Sequence, residues 1–121
     1  MTLFYYTVEQ MAARDNLLGP HEQLVLLAIM RIGNDAYGMT IRREVEQRAD
    51  RRLSIGAVYT TLERLLKKGY VRSKVGEPTT ERGGRAKRHY QITAKGERAL
   101  QESHALYRSM TEGLQLGWEA K

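Results

Sequence analysis

Leu53-Ser54-Ile55-Gly56-Ala57-Val58-Tyr59-Thr60-Thr61-Leu62-Glu63-Arg64-Leu65-Leu66-Lys67-Lys68-Gly69 reads as one helix with two unlike faces. Ser54 is placed to cap it, because a serine hydroxyl accepts one of the N–H groups that the first turn leaves unpaired. The helix is expected over Ile55 to Lys68, and Gly69 closes it. At about 100° per residue, Ile55, Val58, Leu62, Leu65 and Leu66 share one side, with Tyr59 at its edge. The other side carries Gly56, Ala57, Thr60, Arg64 and Lys67, with Glu63 and Lys68 at its margins. That face is nearly bare at its N-terminal end and cationic further along. A helix entering a DNA major groove leads with its N-terminal end, where small residues permit close approach. Ser54 and the helix-end N–H groups suit a phosphate oxygen. Thr60, Arg64 and Lys67 suit base edges or the flanking backbone. Taken alone, this face fits a merely solvated surface equally well.

Just downstream, Tyr70 to Val75 and Lys87 to Ile92 alternate with period two and are expected to pair antiparallel. Between them Gly76-Glu77-Pro78-Thr79-Thr80-Glu81-Arg82-Gly83-Gly84-Arg85 is a long hairpin loop. Arg82, Arg85, Lys87 and Arg88 fall within seven residues that hold no acid. A basic, glycine-rich loop beside such a helix is what a wing presents to a neighbouring groove and its phosphates. Upstream, Gly38 to Ala49 turns Ile41, Val45 and Ala49 inward and Arg42, Arg43, Gln47 and Arg48 outward. His21 to Ile32 is apolar on almost every side, as a central or shared helix would be. Phe4, Val8 and Met11 lie at helical spacing in a short N-terminal segment, where a frayed terminus is nearly as good a reading. Downstream, Thr93 caps a last helix expected to reach Leu116. The expected architecture is α+β and mainly helical: a winged helix-turn-helix with a two-stranded wing and a C-terminal dimerisation helix.

The composition supports a binding role. The chain has 121 residues, enough for one core, with 20 Lys and Arg against 14 Asp and Glu, a net +6. That balance favours a polyanionic partner, DNA before an anionic membrane. The absence of cysteine excludes disulfides, thiol nucleophiles and thiolate metal sites. His21, His89 and His104 have no metal-ligand spacing, so no metal or other cofactor is expected. No apolar run approaches the roughly 20 residues that span a bilayer, and the N-terminus lacks a signal-peptide pattern, so a reducing cytoplasm is the expected home. No nucleophile–base pair or acid pair marks an enzyme. RNA is disfavoured because the exposed helix face lacks aromatics to stack unpaired bases. The alternative is a winged helix used for protein–protein contact without specific DNA binding.

Four motifs, in order, resemble the PadR-like family of winged-helix transcriptional regulators. Ala36-Tyr37-Gly38-Met39 looks like that family's tyrosine-glycine start of the second helix. Leu53 to Leu65 is similar to its recognition helix, with Ser54, Gly56 and Tyr59 at the characteristic spacing. Lys68-Gly69-Tyr70-Val71 leads into the wing, and Gly84-Arg85-Ala86-Lys87-Arg88-His89-Tyr90-Gln91-Ile92-Thr93 resembles its second strand, before Ala94-Lys95-Gly96. The resemblance covers about Leu24 to Leu100. Thr60 and Ala86 stand where the family often has proline, which bears on base preference and wing stiffness. The resemblance implies a homodimeric repressor on a palindromic operator, with DNA contacts at Tyr37, Ser54, Gly56, Tyr59 and the wing cations. Tyr37 and Tyr59 read equally well as aromatics at the edge of the core.

In the last helix Leu100, Ser103, Tyr107, Met110 and Leu114 form a stripe with Leu106 beside it, longer than a small domain can cover. A homodimer interface is expected there, supplemented by Phe4, Val8 and Met11; the alternative is a helix folded back on its own domain. Tyr107, Met110 and Trp118 are the residues that would line a cleft for a small aromatic effector, although packing explains them more simply. The resemblance implies phenolic or drug-like effectors in some members. The expected division is 1–18 as an N-terminal helical arm, 19–93 as the DNA-binding domain and 94–121 as the dimerisation helix.

Overall fold

The computed structural model describes residues 17–76 and 87–119. Phe4, Val8 and Met11 of the arm, and Arg82 and Arg85 of the loop, lie outside the described residues. The elements in order are α1 (Pro20–Ile32), α2 (Gly38–Ala49), α3 (Ile55–Lys68), β1 (Val71–Val75), β2 (Arg88–Ile92) and α4 (Ala94–Thr111). This is the expected mainly helical α+β arrangement. No helix among the described residues is long and apolar enough to cross a membrane.

Pro20 opens α1 at its first turn, where the missing N–H goes unused. Glu22 reaches back to accept from the Gly19 N–H at 2.8 Å. The near-uniform apolar character of α1 divides on folding. Val25, Leu26, Ala28 and Ile29 are buried, whereas Leu27 and Met30 stay about half exposed. α2 contributes Ile41 and Val45 to the core, and α3 contributes Val58, Leu62 and Leu65, each fully buried. Thr61 is buried too, which periodicity did not suggest. Its hydroxyl donates to the Ala57 carbonyl at 2.8 Å, so the polar group is satisfied inside its own helix.

The hairpin pairs antiparallel with Val71 opposite Ile92, Ser73 opposite Tyr90 and Val75 opposite Arg88. Buried Val71 and Tyr90 face the helices, so the intervening Arg72, Lys74, His89 and Gln91 face outward. Tyr37 adds a single bridge to His89, and the Tyr90 N–H donates to the Ala36 carbonyl at 2.8 Å. The chain between α1 and α2 therefore anchors the hairpin.

Thr93 caps α4 as expected: its hydroxyl oxygen accepts from the Gly96 N–H at 3.1 Å and donates to the Gly69 carbonyl at 2.7 Å. The helix ends at Thr111 rather than Leu116. Glu112 is extended and Gly113 takes a left-handed φ of +83°, which the expectation of continued periodicity overlooked. Leu114 consequently leaves the helical stripe. The first half of α4 packs on the core through Gly96, Ala99, Leu100 and Ser103, and residues 104–110 are exposed.

Candidate nucleic-acid interface

Most of the candidate face of α3 lies on the exposed side of the helix. The Ser54 hydroxyl accepts from the Ala57 N–H at 3.0 Å, and its own hydrogen remains available to an outside acceptor. Gly56, Tyr59, Thr60, Glu63, Arg64 and Lys67 are exposed, while Ala57 is half-buried. Among the described residues, neither Arg64 nor Lys67 has a carboxylate within salt-bridge distance. Both cations are thus available on the open side of the helix.

Two aromatic residues sit differently from one another. Tyr59 is 47% exposed, but its phenol ring covers Gly38 at the start of α2. A β-carbon on Gly38 would lie 2.6 Å from the Tyr59 hydroxyl and 2.7 Å from the ring carbon that carries it. The glycine after Tyr37 is therefore what lets α3 lie so close to the head of α2. Gly38→Ala is expected to lose about 1–3 kcal/mol by overpacking, and Tyr59→Ala in the same chain to remove most of that penalty. Urea denaturation of the two single variants and the double variant measures the coupling.

Tyr37 is 8% exposed and lies inside the wing root. Its ring meets His89 edge-on with centroids 5.5 Å apart, and the Lys87 ammonium lies 4.4 Å above its centroid. That ammonium is also 3.4 Å from the Tyr37 hydroxyl. Lys87 is thus steered back over the aromatic ring at the base of the wing. Arg88, one residue on, is exposed and donates to the Ser73 hydroxyl at 3.1 Å. Tyr90 lies behind it. Burial pushes its phenol above the ordinary range; Arg88 pulls it down, and Tyr59 and Glu63 push it up. Val71 and Tyr90 pack in the same buried cluster as Val58, Leu62 and Leu65, which sets the wing root alongside α3.

Sequence reasoning missed the ion pair that fixes the far end of α3. Lys68 Nζ lies 2.7 Å from Glu22 Oε2, and the Glu22 side chain is 7% exposed. Burial raises the Glu22 carboxyl, but the Lys68 hydrogen bond, the Gly19 N–H and the charges of Lys68 and Arg64 together hold it below the ordinary value. The pair ties the first turn of α1 to the last turn of α3, from residues that are far apart in the chain.

Residues 26–102 match the family model of the transcriptional regulator PadR-like family, which is more than half of the chain. The chain belongs to the PadR-like family of transcriptional regulators. Its structure is similar to that of a PadR family transcription regulator from hypervirulent Clostridium difficile, at 22% identity and a TM-score of 0.64, over 78% of this chain and 93% of that one. A PadR-like transcription factor from Bacteroides fragilis is 24% identical with a TM-score of 0.62, over 86% and 90%. A winged-helix DNA-binding protein from STIV is 19% identical with a TM-score of 0.59, over 77% and 92%. These likenesses establish the winged-helix fold. No curated protein matches the chain.

In this PadR-like regulator a second feature lies away from the α3 face. α1 and α4 enclose an open groove of about 710 Å³, lined by Leu27, Met30, Leu100 and Tyr107 among others. Leu106, Tyr107, Met110 and Leu114 are all exposed, and Leu100 is half-buried. Of the three candidate effector residues, Tyr107 lines the groove. Met110 and Trp118 do not, each being 77% exposed, with Trp118 on a short turn after α4.

Proposed function

We propose that this PadR-like chain is a sequence-specific DNA-binding regulator that acts as a homodimeric repressor of a palindromic operator. The carrying observation is the α3 face: a bare first turn at Gly56, with exposed Arg64 and Lys67 behind it, neither paired with a carboxylate among the described residues, and the wing root alongside. Ser54, Gly56, Ala57, Tyr59, Thr60, Arg64 and Lys67 are assigned to the groove and its flanking phosphates. Arg82, Arg85 and Arg88 are assigned to the wing's phosphate contacts. Tyr37 and Lys87 hold the base of the wing, and their contribution to DNA binding is to aim it.

Residues 19–93 supply the DNA-binding domain, and α4 with the 1–18 arm supplies the dimer contact. The exposed Leu106, Tyr107 and Met110 support that reading, because so long an apolar edge is normally covered. A two-fold pair would set its recognition helices about 34 Å apart, matching successive major grooves. Release by a small aromatic effector rests on Tyr107 at the α1–α4 groove.

The test is a binding-site selection from random duplexes at two salt concentrations, followed by titration of the selected duplex. Affinity is expected to fall steeply with salt as phosphates release counterions. Arg64→Ala should lose about 1–3 kcal/mol of discrimination between operator and random DNA. Arg85→Ala should weaken both about equally and flatten the salt slope. Parent-like binding by both variants overturns these assignments, and a stoichiometry of one chain per site overturns the dimer.

A further inference from the structure

The outward face of the hairpin carries cations that the α3 reading does not use. Arg72 and Lys74 stand two residues apart on β1, so they project from the same side of the strand roughly 7 Å apart. Opposite them in the register are Gln91 and His89. With Asn34 from the turn after α1 and the backbone of Gly76, these side chains line a cleft of about 550 Å³. No carboxylate is among the described residues that line it. Among the described residues, the Asp35 carboxylate lies beside it, with Oδ1 3.8 Å from His89 Nε2.

The lining is organised for an anion. Arg72 donates through Nε to Gln91 Oε1 at 3.1 Å, which orients the guanidinium, and among the described residues its two terminal amino groups have no hydrogen-bond partner. The Lys74 ammonium is exposed, and among the described residues it has no ion-pair partner. Two cations flank a concave space with imidazole and carboxamide groups around it. Tetrahedral oxyanions take donors from several directions, and two neighbouring positive charges balance a phosphate dianion. The cleft's volume is also in the range that accepts a nucleotide-sized molecule.

We infer that Arg72 and Lys74, framed by Gln91, His89 and Asn34, form a phosphate-group site on the outer face of the wing, separate from the α3 face. The phosphate comes either from the backbone of a bound duplex beyond the recognition helix or from a free nucleotide. The first source rests on the DNA-binding reading above; the second does not.

The experiment uses the full chain and an Arg72→Ala/Lys74→Ala double variant, whose exposed positions leave the core intact, as a thermal melt will verify. Amide NMR is followed while inorganic phosphate, and separately adenosine diphosphate, is titrated. Duplex binding is measured in parallel across a salt series. Saturable shifts confined to Arg72, Lys74, Gln91 and Asn34, and lost in the double variant, support the site. With the duplex as source, the variant's salt slope should flatten by about 0.9 for each phosphate contact removed. With a free nucleotide as source, the slope stays at the parental value and the diphosphate outcompetes inorganic phosphate. No saturable shift together with an unchanged slope overturns the proposal. Failure of the parent to bind any duplex, with the phosphate shifts intact, overturns the DNA-binding reading and leaves this one standing.

Discussion

Gly96→Ala is expected to lower the melting temperature far below the parent's, against the usual sign of a glycine-to-alanine change in a helix. In an unconstrained helix interior that change stabilises by about 1 kcal/mol. Here a β-carbon would run into the carbonyl oxygen of Tyr70, within a distance that real contacts never reach, and would lie 2.8 Å from Ile92 Cγ1. The Tyr70 carbonyl cannot swing aside, because it accepts from the Thr93 N–H at 3.0 Å and belongs to the tight joint between α3 and β1. Relief requires the first turn of α4 to lift off the hairpin, which would disrupt the Thr93–Gly69 and Thr93–Gly96 hydrogen bonds as well. A penalty of about 3 kcal/mol or more follows, at the upper end of what overpacking produces. Gly56→Ala is the matched control. It is also helical, yet the nearest atom to its added carbon is Ser54 Oγ at 3.9 Å. Thermal melts should show Gly56→Ala at or above the parent and Gly96→Ala far below. Equal melting temperatures for the two would show that the joint is softer than its geometry implies.

The contrast between these two glycines also separates what a linear reading of this chain reaches from what it does not. The two faces of α3, its Ser54 cap, the alternation of the hairpin strands and the Thr93 cap are local signals, carried by residues within a turn or two of one another. Each appears in the structure where the pattern placed it. The end of α4 departs from that pattern: apolar spacing continues through Leu114 and Leu116, but the left-handed turn at Gly113 outweighs it. Tyr37 is harder still: an aromatic residue before a helix start reads equally as an exposed contact or a core edge. Only the bridge to His89, far along the chain, places it inside the wing root. The same limitation hid the roles of Gly38 and Gly96, whose need for hydrogen side chains comes from Tyr59 and Tyr70 on other elements. It also hid the outer wing face, since nothing local to β1 brings Arg72 and Lys74 together with Asn34, His89 and Gln91 around one cleft.

Glu22 and Lys68 are the other long-range pair, and they make the acid limit of this fold predictable. The folded-state value of the Glu22 carboxyl is depressed relative to the unfolded chain, where a glutamate sits near 4.5. Depression means that the ionised form is the one the fold prefers. The contribution is therefore complete above pH 4.5 and is lost as the pH falls through the lower folded value. Lys68→Met removes the ammonium and leaves the carboxylate buried with the Gly19 N–H and the more distant Arg64 charge. Burial, the largest influence on this group, is then opposed by much less, so the Glu22 value should move upward. The Lys68 side chain is 25% exposed, so water can partly replace it, and a loss of about 1–3 kcal/mol at neutral pH is expected rather than the full figure for a sealed pair. Two features distinguish this from simple loss of packing. The variant's stability should begin to fall at a higher pH than the parent's. Glu22→Gln in the Lys68→Met background should also recover much of the loss, because the amide oxygen still accepts from Gly19 without a buried charge. Urea denaturation from pH 3 to 7 on the parent, the single variant and the double variant measures all three quantities. Parallel pH profiles with no recovery in the double variant would mean that the pair does not hold the first turn of α1 to the end of the recognition helix.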